Sequence, residues 1–362
     1  MTAPDPRGRP DEDAPSRRGV LAAAMRDAVA AAELVRGTTS PNPPVGCVVL
    51  DRAGRTAGAG ATAPPGGPHA EVRALAQAGE RARGGTAVVT LEPCAKHGRT
   101  PPCAEALLAA GIAEVHYAVA DPHPAGAGGA AALRSAGVRA EQGLLADEVR
   151  RGPLRAWLHW VRTGRPHVTW KFAATLDGRS AAPDGTSRWI SGAQSRAEVH
   201  RLRAVVDAIV AGTGTVLVDD PQLTAREPDG SRAARQPLRV VLGDRRIPAS
   251  ARVLDDTAET VLVGGHDPAA ALARLGERDV VDVLLEGGPT LAGSFLAAGC
   301  VDRVLAFLAP ALLGAGPAAL AGTGVGTLDQ ILRLRVEEIG MSGPDVRVSA
   351  VPWTADPDVE EG

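Results

Sequence analysis

Lysine is almost missing from this 362-residue chain: Lys96 and Lys171 are the only two, and all other fixed side-chain positive charge is arginine. Basic residues number 39 against 42 acidic ones, for a formal net charge of −3. That balance removes the broad positive field with which nucleic-acid binders hold phosphates. No apolar run reaches the roughly 18 residues that a membrane-spanning helix needs. Cysteine is limited to four positions, two of them in a ligand-like pattern, so a reducing compartment is expected rather than a disulfide framework. The start, Met1-Thr2-Ala3-Pro4-Asp5-Pro6, is followed by acids and is unlike a secretory signal. The expectation is a cytoplasmic protein that engages neither membrane nor nucleic acid.

What is there is ample for two domains. Residues 1–17, rich in Pro, Asp, Arg and Gly, read as a disordered tail. Leu21, Met25, Val29 and Ala32 then fall at helical spacing. Strands are predicted at 45–50, 87–91 and 114–120, with helices near 69–78 and 102–110 between them. A helical stretch at 144–163 leads to the hinge Gly164-Arg165-Pro166. A second series of strands is predicted at 167–172, 208–211, 238–242, 260–263, 281–286 and 301–307. Strand–helix alternation of this kind gives layered α/β domains. The expected division is 18–150, a connecting helix 151–165, a second domain 166–355 and a tail 356–362.

The first series carries His69-Ala70-Glu71, then Pro93-Cys94, then Cys103. One imidazole and two thiolates are three zinc ligands, which leaves the fourth position open for water. Glu71 is placed to move the protons of that water rather than to bind metal, the acid/base role of the glutamate in zinc deaminases. His69 and Cys103 both follow prolines at expected helix starts, where negative charge is favoured. The competing readings are a structural zinc site, with His97 or Cys47 as fourth ligand, and two unrelated buried thiols. Cys47, in an apolar strand, and Cys300 read as core residues.

In the second series, the strand at 281–286 runs through Gly287-Gly288-Pro289 into a helix. Small residues let backbone approach phosphates, and Pro suits the first helical turn. Gly212-Thr213-Gly214-Thr215 is a similar turn. Neither is a complete Gly-x-Gly-x-x-Gly fingerprint, so a Rossmann domain is not expected. Lys171 lies inside an apolar strand, a rare placement for a rare residue.

Taken in order, these motifs resemble the bifunctional deaminase–reductases of riboflavin biosynthesis. The matching segments are Pro41-Asn42-Pro43-Pro44-Val45-Gly46, Pro68-His69-Ala70-Glu71 and Thr90-Leu91-Glu92-Pro93-Cys94, then His97-Gly98-Arg99-Thr100-Pro101-Pro102-Cys103. In the second half they are Leu176-Asp177-Gly178-Arg179, Trp189-Ile190-Ser191, Thr215 to Pro221, and Leu285 to Leu291. The resemblance implies a cytidine-deaminase-like three-layer α/β/α domain followed by a dihydrofolate-reductase-like α/β domain. It implies one Zn²⁺ on His69, Cys94 and Cys103, proton transfer by Glu71, and deaminase substrate contacts from Asn42, His97 and Arg99. For the second domain it implies NADPH contacts from Ala173, Trp189, Thr215, Asp219 and the run Gly288, Pro289, Thr290, Leu291, Ala292, Gly293 and Ser294. Substrate contacts fall on Lys171, Ser187, Arg203, Leu223, Arg226 and Glu286.

The implied chemistry is hydrolysis of the 2-amino group of 2,5-diamino-6-(5-phosphoribosylamino)pyrimidin-4(3H)-one, then reduction of the ribosyl group to ribityl. Asp219, Lys171 or water could donate the proton in the second step. The resemblance also suggests a homo-oligomer, a dimer by preference. A deaminase joined to a silent reductase-like domain is the alternative. Two segments depart from the family's usual pattern: Gly243-Asp244-Arg245-Arg246 where Asp-Ser is commoner, and His123 where Asn is usual. A carboxylate at Asp244 would favour a free 2′-hydroxyl on the cofactor, whereas Arg245 or Arg246 could accept a 2′-phosphate.

Overall fold

A computed structural model describes residues 16–95, 101–124 and 126–353. The expected tails therefore lie outside the described residues, except that Arg17 already opens the first helix. The chain divides into two compact units, one of residues up to Val35 and Pro44–Leu154, the other of Arg36–Pro43 and residues from Arg155 onward.

The first unit contains α1 (Arg17–Val35), β1 (Gly46–Leu50), β2 (Thr56–Ala61), α2 (Ala70–Ala78), β3 (Thr86–Leu91), α3 (Cys103–Ala109), β4 (Glu114–Val119), α4 (Gly129–Ser135), β5 (Arg139–Gln142) and α5 (Ala146–Arg151). Its sheet runs β2-β1-β3-β4-β5, antiparallel around β1 and parallel from β3 to β5. Register explains the layering. Gly46 pairs with Ala61 and Cys47 with Gly60, so Gly46 and Gly60 look out of opposite faces. A Cβ at Gly46 would lie 1.8 Å from the Ala28 carbonyl oxygen of α1, and one at Gly60 2.5 Å from the Ala70 oxygen of α2. Each helix therefore lies directly on glycine backbone, on opposite faces of one sheet. The result is three α/β/α layers.

The second unit contains α6 (Arg155–Thr163), β6 (His167–Thr175), α7 (Ala193–Val205), β7 (Ala208–Gly212), α8 (Thr213–Asp219), β8 (Leu238–Leu242), β9 (Thr260–Val263), α9 (Pro268–Gly276), β10 (Asp282–Leu285), α10 (Pro289–Ala297), β11 (Arg303–Ala309), β12 (Leu334–Ser342) and β13 (Asp345–Pro352). The eight strands follow the order β12-β13-β11-β6-β10-β7-β8-β9. From β11 to β9 neighbours are parallel; β13 and β12 add an antiparallel hairpin at one edge. Val283 and Leu285 of β10 join one core with Val168, Trp170 and Phe295, while Leu284 joins another with Ile209 and Val253. Burial on both faces is why these strands read as continuous apolar runs.

The expected boundaries need two corrections. Residues 36–43 interrupt the first domain and pack with the second unit, where Arg36 pairs with Asp282 at 2.9 Å and the Ser40 hydroxyl donates to Asp207. The helix expected across 144–163 is two helices, because Gly152-Pro153 breaks it and the first turn of α6 begins at Arg155. Four strands went unpredicted: β2, β5, β12 and β13.

Candidate active sites

His69 is the residue before α2, with extended backbone, and Cys103 is the first residue of α3. Cys94 follows β3 on the segment leading away from the sheet. These three donors lie within 4.8 Å of one another. The Nδ1 of His69 is 3.2 Å from the Cys103 Sγ and 3.7 Å from the Cys94 Sγ. A tetrahedral zinc with ordinary bond lengths separates nitrogen and sulfur ligands by about 3.6 Å, so the side chains fit that ion. The backbone N–H of Cys103 donates to the Cys94 sulfur at 3.3 Å, which binds the two ligand segments together.

The electrostatics match. A hydrogen bond from Cys103 holds the Cys94 thiol down at about 4, and the same shared proton, with burial, drives Cys103 upward. The pair thus favours a thiolate at Cys94, the form in which cysteine would bind a divalent cation. Glu71 lies in the first turn of α2, 4% exposed, and burial raises its carboxyl. Cys47 is buried on the same sheet face as Gly60, under α2, and burial raises its thiol well above the usual range. It is a core residue.

Glu92, next to Pro93-Cys94, accepts backbone N–H groups from Asp121, Gly128 and Ala130 at 3.0–3.2 Å. That anchors the loop flanking Cys94, a role invisible in the sequence pattern. A second grouping of ligand types, Glu114, His116 and Glu141, also occurs. Arg17 and Arg139 already pair with its carboxylates, so it is an ion-pair network. His97 and Arg99 lie outside the described residues. Asn42 is exposed in the 36–43 segment that packs with the second unit, its N–H donating to the Thr39 carbonyl.

The second unit holds a cleft of about 780 Å³. Ten of the expected residues line it: Lys171, Ala173, Ser187, Trp189, Arg203, Thr215, Asp219, Leu223, Arg226 and Glu286. At its floor Glu286, just beyond β10, accepts two hydrogen bonds from Arg203 at 2.6 and 2.9 Å, with the Lys171 Nζ 3.5 Å away. Burial alone would raise the Glu286 carboxyl, but the charges of Arg203 and Lys171 hold it at about 2. Two cations thus share one carboxylate, leaving net positive charge facing the cleft. Arg226 is steadied by Gln222 and the Gly230 carbonyl. Trp189 is exposed at the rim, with the Arg196 guanidinium 4.6 Å from its ring centre. His200 also lines the cleft and was missed; it stands one helical turn before Arg203 on α7, the spacing that could have revealed it.

Gly288 precedes α10, and its N–H donates to the Thr215 hydroxyl, joining the turns after β10 and β7. Pro289, Thr290, Leu291 and Ser294 stay partly or fully accessible. Ala292 and Gly293 lie deeper. Ala292 is fully buried with its N–H bonded to the Gly288 carbonyl, and a Cβ at Gly293 would meet the Ala321 carbonyl at 1.8 Å. Both pack α10 against its neighbours. The small-residue turns and the cleft volume still suit a dinucleotide, since ligand clefts span about 300–1,000 Å³.

Two family models match the chain. Residues 20–119 match the cytidine and deoxycytidylate deaminase zinc-binding region, and residues 166–348 match the RibD C-terminal domain. The riboflavin biosynthesis protein RibD of Mycobacterium tuberculosis (strain ATCC 25618 / H37Rv) is 54% identical over 317 residues, covering 88% of this chain and 93% of that protein. RibD of Escherichia coli (strain K12) is 39% identical, covering 89% and 96%. Among solved structures, the Thermotoga maritima diaminohydroxyphosphoribosylaminopyrimidine deaminase/5-amino-6-(5-phosphoribosylamino)uracil reductase superposes with a TM-score of 0.84 at 33% identity, over 93% of this chain and all of that one. Acinetobacter baumannii RibD superposes with 0.81 at 35% identity, with the same coverage. With both sites built in order on their respective sheets, the chain belongs to the RibD family of riboflavin biosynthesis proteins.

Proposed function

We propose that this chain carries out two consecutive steps on one phosphoribosylaminopyrimidine, hydrolytic deamination in the first unit and NADPH-dependent reduction in the second. The observation that carries the reading is the His69–Cys94–Cys103 donor set with a buried carboxylate, Glu71, beside it. A zinc ion on those three side chains supplies a Lewis acid that lowers the pKa of water to about 7. Glu71 takes a proton from the attacking water and delivers one to the departing nitrogen. The C2–O bond forms, the C2–N bond breaks and ammonia leaves. Asn42, His97 and Arg99 are assigned to the substrate by family pattern.

In the second unit NADPH supplies the hydride that reduces the ribosyl C1′. Lys171, Arg203 and Arg226 offer cationic donors to an anionic, phosphorylated substrate, and guanidinium forks match phosphate oxygens. Glu286 keeps Arg203 in one orientation. Ala173, Trp189, Thr215 and Asp219 line the cleft as the cofactor's neighbours, with Gly288 at the adjoining turn. The Arg203–Glu286–Lys171 cluster favours an active domain over a silent one.

The test is ammonia release followed by NADPH consumption on 2,5-diamino-6-(5-phosphoribosylamino)pyrimidin-4(3H)-one. Ammonia without NADPH oxidation, when the deaminated product is supplied, would leave only the first half standing. Among the described residues no helix is long and apolar enough to cross a membrane. The four free cysteines support a cytoplasmic location. An exposed apolar stripe on β12 supports a homodimer, with a second copy of this chain covering that stripe.

A further inference from the structure

Lys171, Arg203 and Glu286 account for one end of the cofactor cleft, but not for a group of charged residues farther along the same sheet edge. Strands β10, β7, β8 and β9 are successive parallel neighbours, so the turns at their carboxyl ends form one row. In open α/β sheets that edge is where ligands bind. Contacts link the row step by step. The N–H of Gly288, after β10, donates to the Thr215 hydroxyl at 3.1 Å. Beside Thr215, Gly214 leaves room for a guanidinium from the next turn: the Arg245 Nη2 lies 2.5 Å from where a Cβ at Gly214 would stand.

Asp244, its neighbour, faces the other way. Its Oδ1 accepts the Gly265 N–H at 2.6 Å, and its Oδ2 lies 3.3 Å from the His266 Nε2, which ties the β8 turn to the β9 turn. A carboxylate occupied in this way is poorly placed to take a ribose hydroxyl. Arg245, by contrast, is exposed and makes no hydrogen bond or ion pair among the described residues. Arg245 is thus an exposed guanidinium held over the first turn of α8, on the sheet edge where ligands bind and with its donors open to an anion.

We propose that Arg245 determines dinucleotide specificity by receiving the 2′-phosphate of NADPH, with Asp244 as the positioning residue that fixes its turn. The inference rests on the reading of the second unit as an NADPH-dependent reductase. A phosphate monoester offers oxygens that a guanidinium meets with two parallel hydrogen bonds, whereas a bare 2′-hydroxyl gains little from the same cation. Arg246 is equally charged and exposed, but nothing places it against the Gly214 turn, so it serves as the control.

Calorimetric titration of the full-length protein with NADPH, NADH, 2′,5′-ADP and 5′-AMP tests this without turnover. Arg245→Ala should weaken NADPH and 2′,5′-ADP by about 10- to 100-fold while moving NADH and 5′-AMP by less than about twofold. Arg245→Lys should recover part of the loss, and Arg246→Ala should leave the NADPH/NADH ratio as it is. An equal loss for both dinucleotides in Arg245→Ala, an unchanged NADPH affinity, or a ratio that collapses in Arg246→Ala would each overturn the assignment. If the unsubstituted protein binds neither dinucleotide, the reductase reading itself fails, a different result from binding without discrimination by Arg245.

Discussion

Glu71 has to stay close to three metal ligands without becoming a fourth. It is buried in the first turn of α2, two residues after His69, and does not belong to the grouped donors. Glu71→Gln should therefore keep one zinc per chain yet slow ammonia release by about 10²- to 10⁴-fold, the usual worth of a positioned acid/base. Cys94→Ala should lose both metal and activity, with zinc read by elemental analysis. An unslowed Glu71→Gln protein would remove the residue from proton transfer. Glu286 makes a prediction in pH. Its folded carboxyl, at about 2, lies below its ordinary unfolded value, so its stabilisation is present above the unfolded pKa and fades as pH falls towards 2. The size is about 3 kcal/mol. The melting temperature of the second unit should then fall more steeply below pH 4.5 in the parent than in Glu286→Gln, and parallel curves would contradict the pairing. The grouping of His69, Cys94 and Cys103 was legible because ligand-type residues stand there at telling local spacing. Glu92 was not, because it acts through backbone partners brought close only by the fold, whereas His200 was overlooked although it stands one helical turn from Arg203.

Among the elements, β2 explains how the deaminase site is held in place. Apart from Thr56 at its start, its sequence Thr56-Ala57-Gly58-Ala59-Gly60-Ala61 has none of the β-branched or aromatic residues that announce a strand. That poverty is its purpose, since a Cβ at Gly58 would lie 2.3 Å from the Ala74 carbonyl oxygen and one at Gly60 2.5 Å from that of Ala70. Helix α2, carrying Glu71 and preceded by His69, sits on bare backbone. Gly60→Val should push α2 outwards, costing about 1–3 kcal/mol and weakening zinc binding, while NADPH binding by the second unit persists. Retained zinc affinity with normal deamination would show that α2 tolerates the shift. The parallel strands of the second unit were readable as apolar runs buried on both faces. The strand pair β12 and β13 was not, since Arg335, Glu337, Glu338 and Arg347 break its apolar pattern. Helix α8 was hidden for another reason: glycine and threonine at its start read as a turn.

At the scale of the whole molecule, the edge strand β12 carries the feature on which the proposed homodimer rests. A register shift between Val336 and Glu338 inserts one residue, and after it Ile339 pairs with Val348 and Met341 with Val346. Leu334 and Val336 pair with Pro352 and Ala350, so the inserted residue keeps all four apolar side chains on one face. They are between 41% and 66% exposed. The opposite face is covered by α7, where Ser195 donates to the Ser342 carbonyl and Glu198 accepts from Ser342 and Arg347. A sheet covered on one side and apolar on the other wants a partner. A second copy offers the same stripe, and in the proposed homodimer a two-fold pairing would bury it in a closed, self-complementary interface. Ile339→Asp combined with Met341→Asp should convert a dimer into a monomer in sedimentation velocity at micromolar concentration, with zinc content unchanged. A parent protein that sediments as a monomer, or a doubly substituted one that remains dimeric, would place the contact elsewhere.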